Sequence, residues 1–292
     1  MVNTNVDESL RNFLGEDMGY GDITTDSLVK PSVQARGRVL CKESGVVAGV
    51  EEAKILLEFL GCRVTRAVSD GTAVKPGATL LEVEGPAAGL LKVERTLLNL
   101  ISHMSGVATA TNELVQIARK HDRNVRVAAT RKTLPGLRYF EKKAVELGGG
   151  DTHRLGLDDM VLIKDNHLAI VGSIDQAVKQ ARSKVSFTKK IEVEVTKPAD
   201  AVKAGRAGAD IILLDNMEPR NVSDAIRLLE KAGLRRKVLL EASGGIGREN
   251  IVDYARTGVD IVSVGKITNS ARSIDISFEL QPVRGRQKSR GN

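Results

Sequence analysis

The sequence predicts an α/β protein in which a small N-terminal α+β domain precedes an α/β barrel of six or seven strands, fewer than the usual eight. Two observations carry this prediction. Beyond residue 125, short apolar runs alternate with amphipathic segments, which is the pattern of βαβ units and a parallel sheet. Polar residues follow nearly every apolar run, as expected where a barrel collects its chemistry at the strand ends. A doubly wound open sheet is the alternative fold.

The first hundred residues have a different pattern of predicted strands and helices. Segment 51–60 has helical spacing, and a long helical stretch begins near Leu90. Strand-like pieces are short and separated by turns, at 45–49, 61–65 and 80–84. We therefore expect three parts: an N-terminal domain over 1–105, a barrel over 106–274, and a C-terminal segment, 275–292, that packs on the first domain.

Six apolar runs predict the barrel strands, and five amphipathic segments predict helices between them. The strands are VRVAAT, MVLIK, IEVEV, DIILLD, KVLLEA and DIVSVG. The helices are LRYFEKKAVEL, SIDQAVKQAR, PADAVKAGRAG, PRNVSDAIRLLEKAG and RENIVDYARTG. Pro198 and Pro219 stand near helix starts, and Gly208, Gly233 and Gly258 stand at helix ends, where these residue types are favoured.

The composition of the chain indicates where the protein resides and what kind of ligand it binds. The chain has no apolar run of ~18 residues and a polar N-terminus, so we expect neither a membrane span nor a signal peptide, and a cytoplasmic protein. Cys41 and Cys62 are expected to be free thiols, and the four histidines lack the spacing of a structural zinc site. Net charge is +7, but aromatics are 3% and tryptophan is absent, so a small anionic substrate explains the charge better than nucleic acid.

Five potential cations stand in the barrel half beside threonine, glycine and asparagine. Arg131 and Lys132 end the first apolar run, and a guanidinium there can hold a carboxylate or phosphate through two hydrogen bonds. His153 and Arg154 follow a triple glycine, and Lys164 ends the next apolar run. Any one of them alone would be an ordinary surface charge. Their shared position at strand ends predicts an anionic ligand.

Carboxylates and two glycine-rich turns complete the set. Glu192 and Glu194 alternate with apolar residues, so both carboxylates share one face of the strand IEVEV. Glu194 and Asp215 lie at neighbouring strand ends and suit Mg²⁺ or sugar hydroxyls. The segments ASGGIG and SVGKITNS each follow a strand and lead into a helix, which makes them natural phosphate cradles. The residues by themselves predict a barrel enzyme for a ligand that carries both carboxylate and phosphate groups, with Mg²⁺.

Taken in order, these motifs resemble those of the quinolinate phosphoribosyltransferases. The resemblance runs through GEDMGYGDITTD, ERTLLNLISHMSGVAT, ATRKTLPGLRYFEKKAVELGGGDTHR, LIKDNH, EVEV, ADIILLDN, EASGGI and VDIVSVGKITNSA. It implies a pentosyltransferase that moves phosphoribosyl from phosphoribosyl pyrophosphate to quinolinate with loss of CO₂, in NAD biosynthesis, and that requires Mg²⁺. It also implies a sandwich-like N-terminal α+β domain joined to an incomplete α/β barrel. The assembly it implies is a homodimer with shared active sites, or a hexamer built from such dimers.

The resemblance assigns a role to each motif residue. Arg95 would reach the quinolinate of the partner subunit, and Lys132 would serve the phosphorylated substrate. The quinolinate carboxylates would be held by Arg131, His153, Arg154 and Lys164. Glu194 and Asp215 would face the ribose and the metal, directly or through water. The 5′-phosphate would be bound by Ser243, Gly244, Gly245 and Gly265, with Asn269 where relatives often carry histidine. The catalytic residues would be Lys132, Lys164, Glu194 and Asp215.

Three other functions compete with this interpretation. A nicotinate-specific phosphoribosyltransferase or a related pyrophosphorylase-like paralogue would need fewer cations, because its substrate has one carboxylate fewer. The set Arg95, Arg131, Arg154 and Lys164 therefore favours quinolinate. A nucleic-acid-binding protein would fit the high pI, and a non-catalytic scaffold would fit the fold but not the retention of every site position.

Overall fold

The computed structural model describes residues 4–283. Within them the chain divides into two compact units. One unit runs to Thr109 and resumes at Arg272, and the other spans Ala110–Ala271. The division falls inside the helix Ala87–Arg119, which also contains the predicted boundary at residue 105. Part of the predicted C-terminal segment, 284–292, lies outside the described residues.

The first unit is built on an antiparallel sheet with two short strands beside it. Its elements in chain order are α1 (Thr4–Met18), α2 (Ile23–Leu28), β1 (Gln34–Cys41), β2 (Gly45–Val46), α3 (Val50–Phe59), β3 (Arg63–Ala67), β4 (Ala73–Val74), β5 (Thr79–Pro86), α4 (Ala87–Arg119) and the last strand of the chain, β12 (Ile276–Pro282). The four-stranded sheet has the order β12-β1-β5-β3, and β2 pairs with β4. The C-terminal strand therefore completes the N-terminal sheet.

Strands β1 and β12 are two of the elements that the sequence pattern did not predict. In β1 buried and exposed residues alternate, but the exposed positions include Arg36 and Arg38, and Gly37 interrupts the run. The glycine has a packing reason, because a β-carbon there would collide with the ring of Phe278 on β12. A charged, glycine-containing strand has a weak signal, since its stability comes from a partner more than 230 residues away.

The second unit contains six parallel strands in the order β6-β11-β10-β9-β8-β7. Its elements are β6 (Arg126–Ala128), α5 (Arg138–Leu147), β7 (Val161–Ile163), α6 (Asp165–Val171), α7 (Ile174–Lys184), β8 (Ile191–Val195), α8 (Pro198–Ala207), β9 (Ile211–Asp215), α9 (Pro219–Lys231), a 3-10 turn (Arg235–Lys237), β10 (Leu239–Ser243), α10 (Ile251–Ala255), β11 (Ile261–Ser263) and α11 (Lys266–Asn269). A single parallel bridge joins Asp151 to Ala128 beside β6. The predicted α/β fold of six or seven parallel strands with an N-terminal α+β domain is confirmed, with six strands in the sheet.

Local chemistry explains where the helices of this unit begin and end. Pro198 and Pro219 occupy the first positions of α8 and α9, where a missing N–H does no harm. Gly208 ends α8 in a left-handed conformation, as predicted. Strand β6 is shorter than its apolar run, because Ala129 and Thr130 leave the sheet and line a cavity. Among the described residues, no helix is both long and apolar enough to cross a bilayer.

Candidate active site

The carboxyl ends of the parallel strands open onto one cavity of about 300 Å³. Five predicted residues reach it from different strand ends: Arg131 after β6, Lys164 after β7, Glu194 in β8, Asp215 at the end of β9 and Ser243 at the end of β10. The full lining is Ala129, Thr130, Arg131, Lys132, His153, Arg154, Leu162, Lys164, Glu194, Leu213, Asp215, Glu241, Ser243 and Ser263. The parallel topology thus brings together residues that are far apart in sequence.

A second cavity, of about 160 Å³, adjoins the first. Its lining is Thr130, Lys132, Ser243, Gly244, Gly245, Ile246, Ser263, Gly265, Lys266 and Asn269. Thr130, Lys132, Ser243 and Ser263 line both cavities. Lys132 therefore stands at the junction, where one ammonium can serve ligands on both sides. The two cavities form a site with a cation-rich part and a glycine-rich part.

The glycine-rich part owes its shape to backbone that other residues adopt poorly. Gly244 and Gly245 have φ of +102° and +59°. A β-carbon on Gly244 would also collide with the side chain of Asn216, which follows β9. Without side chains, the peptide groups of this turn are exposed to a ligand, as in other phosphate-binding turns.

The cation-rich part contains the guanidinium groups of Arg131 and Arg154, whose positive charges repel each other. The buried Nε of Arg131 has no hydrogen-bond acceptor among the described residues. Burial lowers the pKa of Arg154, and the positive charge of Arg131 lowers it further, although Glu192 and Glu241 act in the opposite direction. Two like charges that are close together and partly desolvated favour an anion between them. A ligand carboxylate fits this part of the cavity.

The carboxylates at the neighbouring strand ends differ in their partners. Lys164 Nζ lies 2.5 Å from Glu194 Oε2, and the carboxylate is nearly buried while the lysine is half exposed. Asp215 accepts a hydrogen bond of 2.7 Å from the side-chain amide of Asn216. Both carboxylates line the larger cavity, so two hard oxygen donors face the same space. This donor chemistry fits Mg²⁺, which takes few protein carboxylates.

His153 is the sequence-predicted residue whose surroundings differ most from expectation. Its Nε2 lies 3.1 Å from Glu241 Oε2 and 3.3 Å from Glu192 Oε2. The backbone N–H of Arg154 points at Nδ1 from 2.7 Å. Both ring nitrogens therefore have partners inside the protein. The predicted contact to a substrate carboxylate would require one of them to be released.

The charge of His153 is set by opposing influences. Burial lowers the pKa of His153, but the carboxylates of Glu192 and Glu241 outweigh it and raise the pKa to about 10. The Arg154 amide instead requires a lone pair on Nδ1, and so works against the second proton. Burial also raises the pKa of Glu192, which weakens the case for a full positive charge. The Arg154 amide decides the tautomer, because the lone pair that it requires on Nδ1 leaves the hydrogen of a neutral ring on Nε2.

This cluster also has the composition of a metal site. The ligand-type atoms of His153, Glu192 and Glu241 lie within 4.8 Å of one another. A metal-bound imidazole would need a lone pair on Nε2, the nitrogen that faces the carboxylates. The Arg154 amide favours the tautomer with hydrogen on that nitrogen, so we interpret the cluster as hydrogen-bonded.

Five predicted residues do not line the cation-rich cavity: Arg95, Gly244, Gly245, Gly265 and Asn269. Asn269 is exposed at the end of α11 and lines the smaller cavity, where its amide can donate to an anion. Arg95 is exposed on α4, in the first unit, and is not among the residues that line either cavity of the second unit. The prediction that Arg95 serves the partner subunit stays a prediction.

The structure also shows site residues that the sequence did not single out. They are Thr130, Glu241, Ser263 and Lys266, which line the cavities. The sequence indicated Glu192 as a carboxylate on the same strand face as Glu194, but not as a partner of His153. A carboxylate inside an apolar strand was a usable signal for Glu192 in IEVEV and for Glu241 in KVLLEA. The small hydroxyl residues had no such signal, because Thr and Ser are common at strand ends.

Comparison with known proteins agrees with this geometry. Residues 22–105 match the quinolinate phosphoribosyl transferase N-terminal domain, and residues 107–279 match the C-terminal domain of the same family. The chain belongs to the quinolinate phosphoribosyl transferase family. Its two matched segments include every residue discussed at the two cavities.

Individual relatives cover nearly the whole chain. A probable nicotinate-nucleotide pyrophosphorylase [carboxylating] from Methanothermobacter thermautotrophicus is 49% identical over 275 residues, covering 94% of this chain and 99% of the relative. The human nicotinate-nucleotide pyrophosphorylase [carboxylating] is 37% identical over 254 residues, covering 87% and 85%. The solved structure of the nicotinate-nucleotide pyrophosphorylase from Francisella tularensis has a TM-score of 0.89 at 37% identity, covering 96% and 98% of the two chains.

Proposed function

We propose that this protein transfers the phosphoribosyl group of phosphoribosyl pyrophosphate to quinolinate and releases pyrophosphate, CO₂ and nicotinate mononucleotide, a step in NAD biosynthesis. One observation carries the proposal. A cavity rich in cations adjoins a glycine-rich cavity, and Lys132 lies at their junction. The first suits a dicarboxylate, and the second suits a sugar phosphate. Family membership agrees with this activity.

The two parts of the site hold the two substrates next to each other. Arg131, Arg154 and Lys164 surround the cation-rich cavity and can hold the quinolinate carboxylates. The peptide groups of Gly244 and Gly245 can hold the 5′-phosphate. Binding both substrates in this way places the ring nitrogen of quinolinate near C1′ of the ribose, so the transfer becomes effectively unimolecular.

The site residues then act on charge that develops during the reaction. The bond from C1′ to pyrophosphate breaks as the bond from C1′ to the ring nitrogen forms, and the ribose becomes cation-like. Glu194 and Asp215 line this region and can stabilise that positive charge. The C2–carboxylate bond then breaks with its electron pair left on C2, where the adjacent positive ring nitrogen stabilises the developing negative charge. CO₂ leaves, and a proton takes its place at C2. No covalent protein intermediate is required.

A magnesium ion is proposed as the cofactor, held by Glu194 and Asp215 directly or through water. When bound, Mg²⁺ would neutralise the pyrophosphate leaving group. Asp215→Asn tests this assignment. It should weaken the Mg²⁺-dependent use of phosphoribosyl pyrophosphate and leave quinolinate affinity nearly unchanged, as measured by calorimetric titration of each substrate. A collapse of quinolinate affinity with normal use of phosphoribosyl pyrophosphate would reverse the roles.

The assembly and the compartment are part of the same proposal. We propose a homodimer in which Arg95 of each subunit completes the cation-rich cavity of the other, in the cytoplasm. The exposure of Arg95 on α4 supports this, because the side chain is available to another subunit.

Direct assay separates the proposed substrate from its nearest competitor. The protein is incubated with phosphoribosyl pyrophosphate, Mg²⁺ and either quinolinate or nicotinate, and nicotinate mononucleotide is measured by mass spectrometry. Turnover with quinolinate and little or none with nicotinate is expected, because the extra cations need the second carboxylate. Preferential turnover of nicotinate would contradict the proposal.

A further inference from the structure

The loop that carries His153 and Arg154 is fixed by hydrogen bonds and contains an uncommon backbone conformation. Asp151 is fixed to β6 by two backbone hydrogen bonds, from Asp151 N–H to Val127 and from Ala129 N–H to Asp151, of 2.8 and 2.9 Å. The carboxylate of Asp151 then accepts a hydrogen bond of 2.8 Å from the N–H of His153. His153 itself has a φ of +53°, which is rare for a residue that is not glycine. Such a conformation persists only where the surroundings enforce it.

Lys142 holds this loop from the side of α5. Its side chain is fully buried, and its ammonium donates to the backbone carbonyls of Thr152 and Arg154, the second at 3.3 Å. These are the carbonyls on either side of His153. A buried lysine is rare unless its donors are satisfied, and here both acceptors belong to a loop that lines the active site.

Glu241 holds the same loop from the side of the sheet. It is buried inside β10, and its carboxylate lies 3.1 Å from His153 Nε2, with Glu192 of β8 close beside it. We assign Nε2 as the donor, because the Arg154 amide donates to Nδ1. The imidazole thus joins the sheet floor to the loop, while its other nitrogen receives the Arg154 amide. Neither ring nitrogen faces a ligand without a partner of its own.

We propose that Lys142, Glu241 and His153 are positioning residues that grip the 151–154 loop from both sides, fix the guanidinium of Arg154 in the cavity, and make no contact with quinolinate. We call these three residues the loop bracket. The inference rests on the proposed function, because Arg154 is useful only if a carboxylate binds there. Two-pronged recognition by arginine depends on its orientation, so a displaced loop weakens binding even when every cation is retained.

The loop bracket predicts a defect in one substrate and not in the other. Lys142→Met keeps the volume of the side chain and removes its donors, and Glu241→Met removes the acceptor of His153. Each should weaken quinolinate affinity on the order of 10- to 100-fold through misplacement of Arg154. Affinity for phosphoribosyl pyrophosphate should change little, because the Gly244 turn lies outside the loop. Lys179→Met, at an exposed lysine of α7, is the matched control and should behave as wild type.

Binding is measured by calorimetry with each substrate alone, and folding by circular dichroism and thermal unfolding. The double variant Lys142→Met/Glu241→Met should lose little more quinolinate affinity than the single variant with the larger loss, because both changes free the same loop. Equal loss of both substrates, or unchanged quinolinate affinity in folded single variants, would overturn the inference. Failure of the wild-type protein to bind quinolinate would instead overturn the proposed function.

A measurement on the wild-type protein decides the matter even if both single variants fail to fold. The Nε2–H proton of His153 is identified by NMR through its loss in His153→Gln. The resonance should persist, with its hydrogen bond to Glu241 intact, when quinolinate saturates the site. Release of this hydrogen bond on quinolinate binding would make His153 a direct ligand and contradict the proposal.

Discussion

Arg131 carries the prediction that is sharpest at the scale of a single residue. Its buried Nε has no acceptor among the described residues, and its guanidinium faces a cavity lined by other cations. Arg131→Ala should therefore lower kcat/KM for quinolinate, by an amount that corresponds to an activation free energy about 2–5 kcal/mol higher. The melting temperature should change little.

The matched control is Arg227→Ala, which removes an exposed arginine paired with Asp224 on α9. Steady-state kinetics on both variants, with thermal unfolding as a check on the fold, makes the comparison. Near-wild-type kcat/KM in Arg131→Ala would remove this residue from the site.

Single residues also show where sequence reasoning succeeded and where it could not. Arg131, Lys164 and Asp215 were predictable because each ends an apolar run, and parallel strands end at a common edge. The loop bracket was not predictable, because its partners meet only in three dimensions. His153 and Glu241 are separated by 88 positions, and the charge of Lys142 sits in a helix that looks amphipathic.

At the scale of elements, helix α5 predicts a specific pH dependence of stability. Burial lowers the pKa of Lys142 to about 8, with Arg138 as the next cause, Arg154 also lowering it, and Asp151 and Asp159 raising it. The folded pKa is thus below the unfolded value of about 10.4. Between the two values the unfolded chain binds more protons, so the contribution of this lysine to stability rises with pH across that window.

Urea unfolding at several pH values between about 7 and 10.4 tests this dependence. The free energy of unfolding of the wild type minus that of Lys142→Met should increase from pH 8 upward. The subtraction removes the titration of groups common to both proteins. A difference that stays flat, or that falls with pH, is inconsistent with a lysine made less basic by burial.

The turn between β10 and α10 predicts a contrast between two glycines. Gly244→Ala places a side chain at φ +102° and against Asn216, whereas Gly233→Ala meets the φ penalty alone, at +67°, with nothing near its β-carbon. The control should lose about 1–2 kcal/mol of unfolding free energy. Gly244→Ala should lose more, and should also raise the KM for phosphoribosyl pyrophosphate. Equal losses in unfolding free energy, with an unchanged KM, would show that Gly244 does not shape the phosphate site.

Elements differ in how far their own sequence determines them. The barrel strands were visible because they are buried on both faces, which gives continuous apolar runs. Strands β1 and β12 were not visible, because a sheet with one exposed face alternates charged and apolar residues, and Gly37 weakens the signal further. Their pairing joins the two ends of the chain, which no local pattern contains.

At the scale of the whole molecule, the proposed shared site makes a prediction about mixed dimers. Arg95→Ala and Lys164→Ala should each be nearly inactive, because every site of either homodimer lacks one cation. After subunit exchange at equal amounts, about half of the dimers are mixed, and each mixed dimer has one intact site. About a quarter of the wild-type sites should therefore return. No recovery, with exchange verified by mass spectrometry, would mean that Arg95 serves its own subunit or no site.

The central claim is that the chain joins phosphoribosyl transfer to decarboxylation of quinolinate. The most direct test supplies quinolinate labelled with ¹³C at the C2 carboxylate, phosphoribosyl pyrophosphate and Mg²⁺, and follows labelled CO₂ and nicotinate mononucleotide together. The account predicts that the two products appear in equal amounts, and that omission of phosphoribosyl pyrophosphate abolishes both. A nucleotide product that retains the labelled carboxylate would contradict the account. So would the absence of any nucleotide product when the protein is shown to be folded.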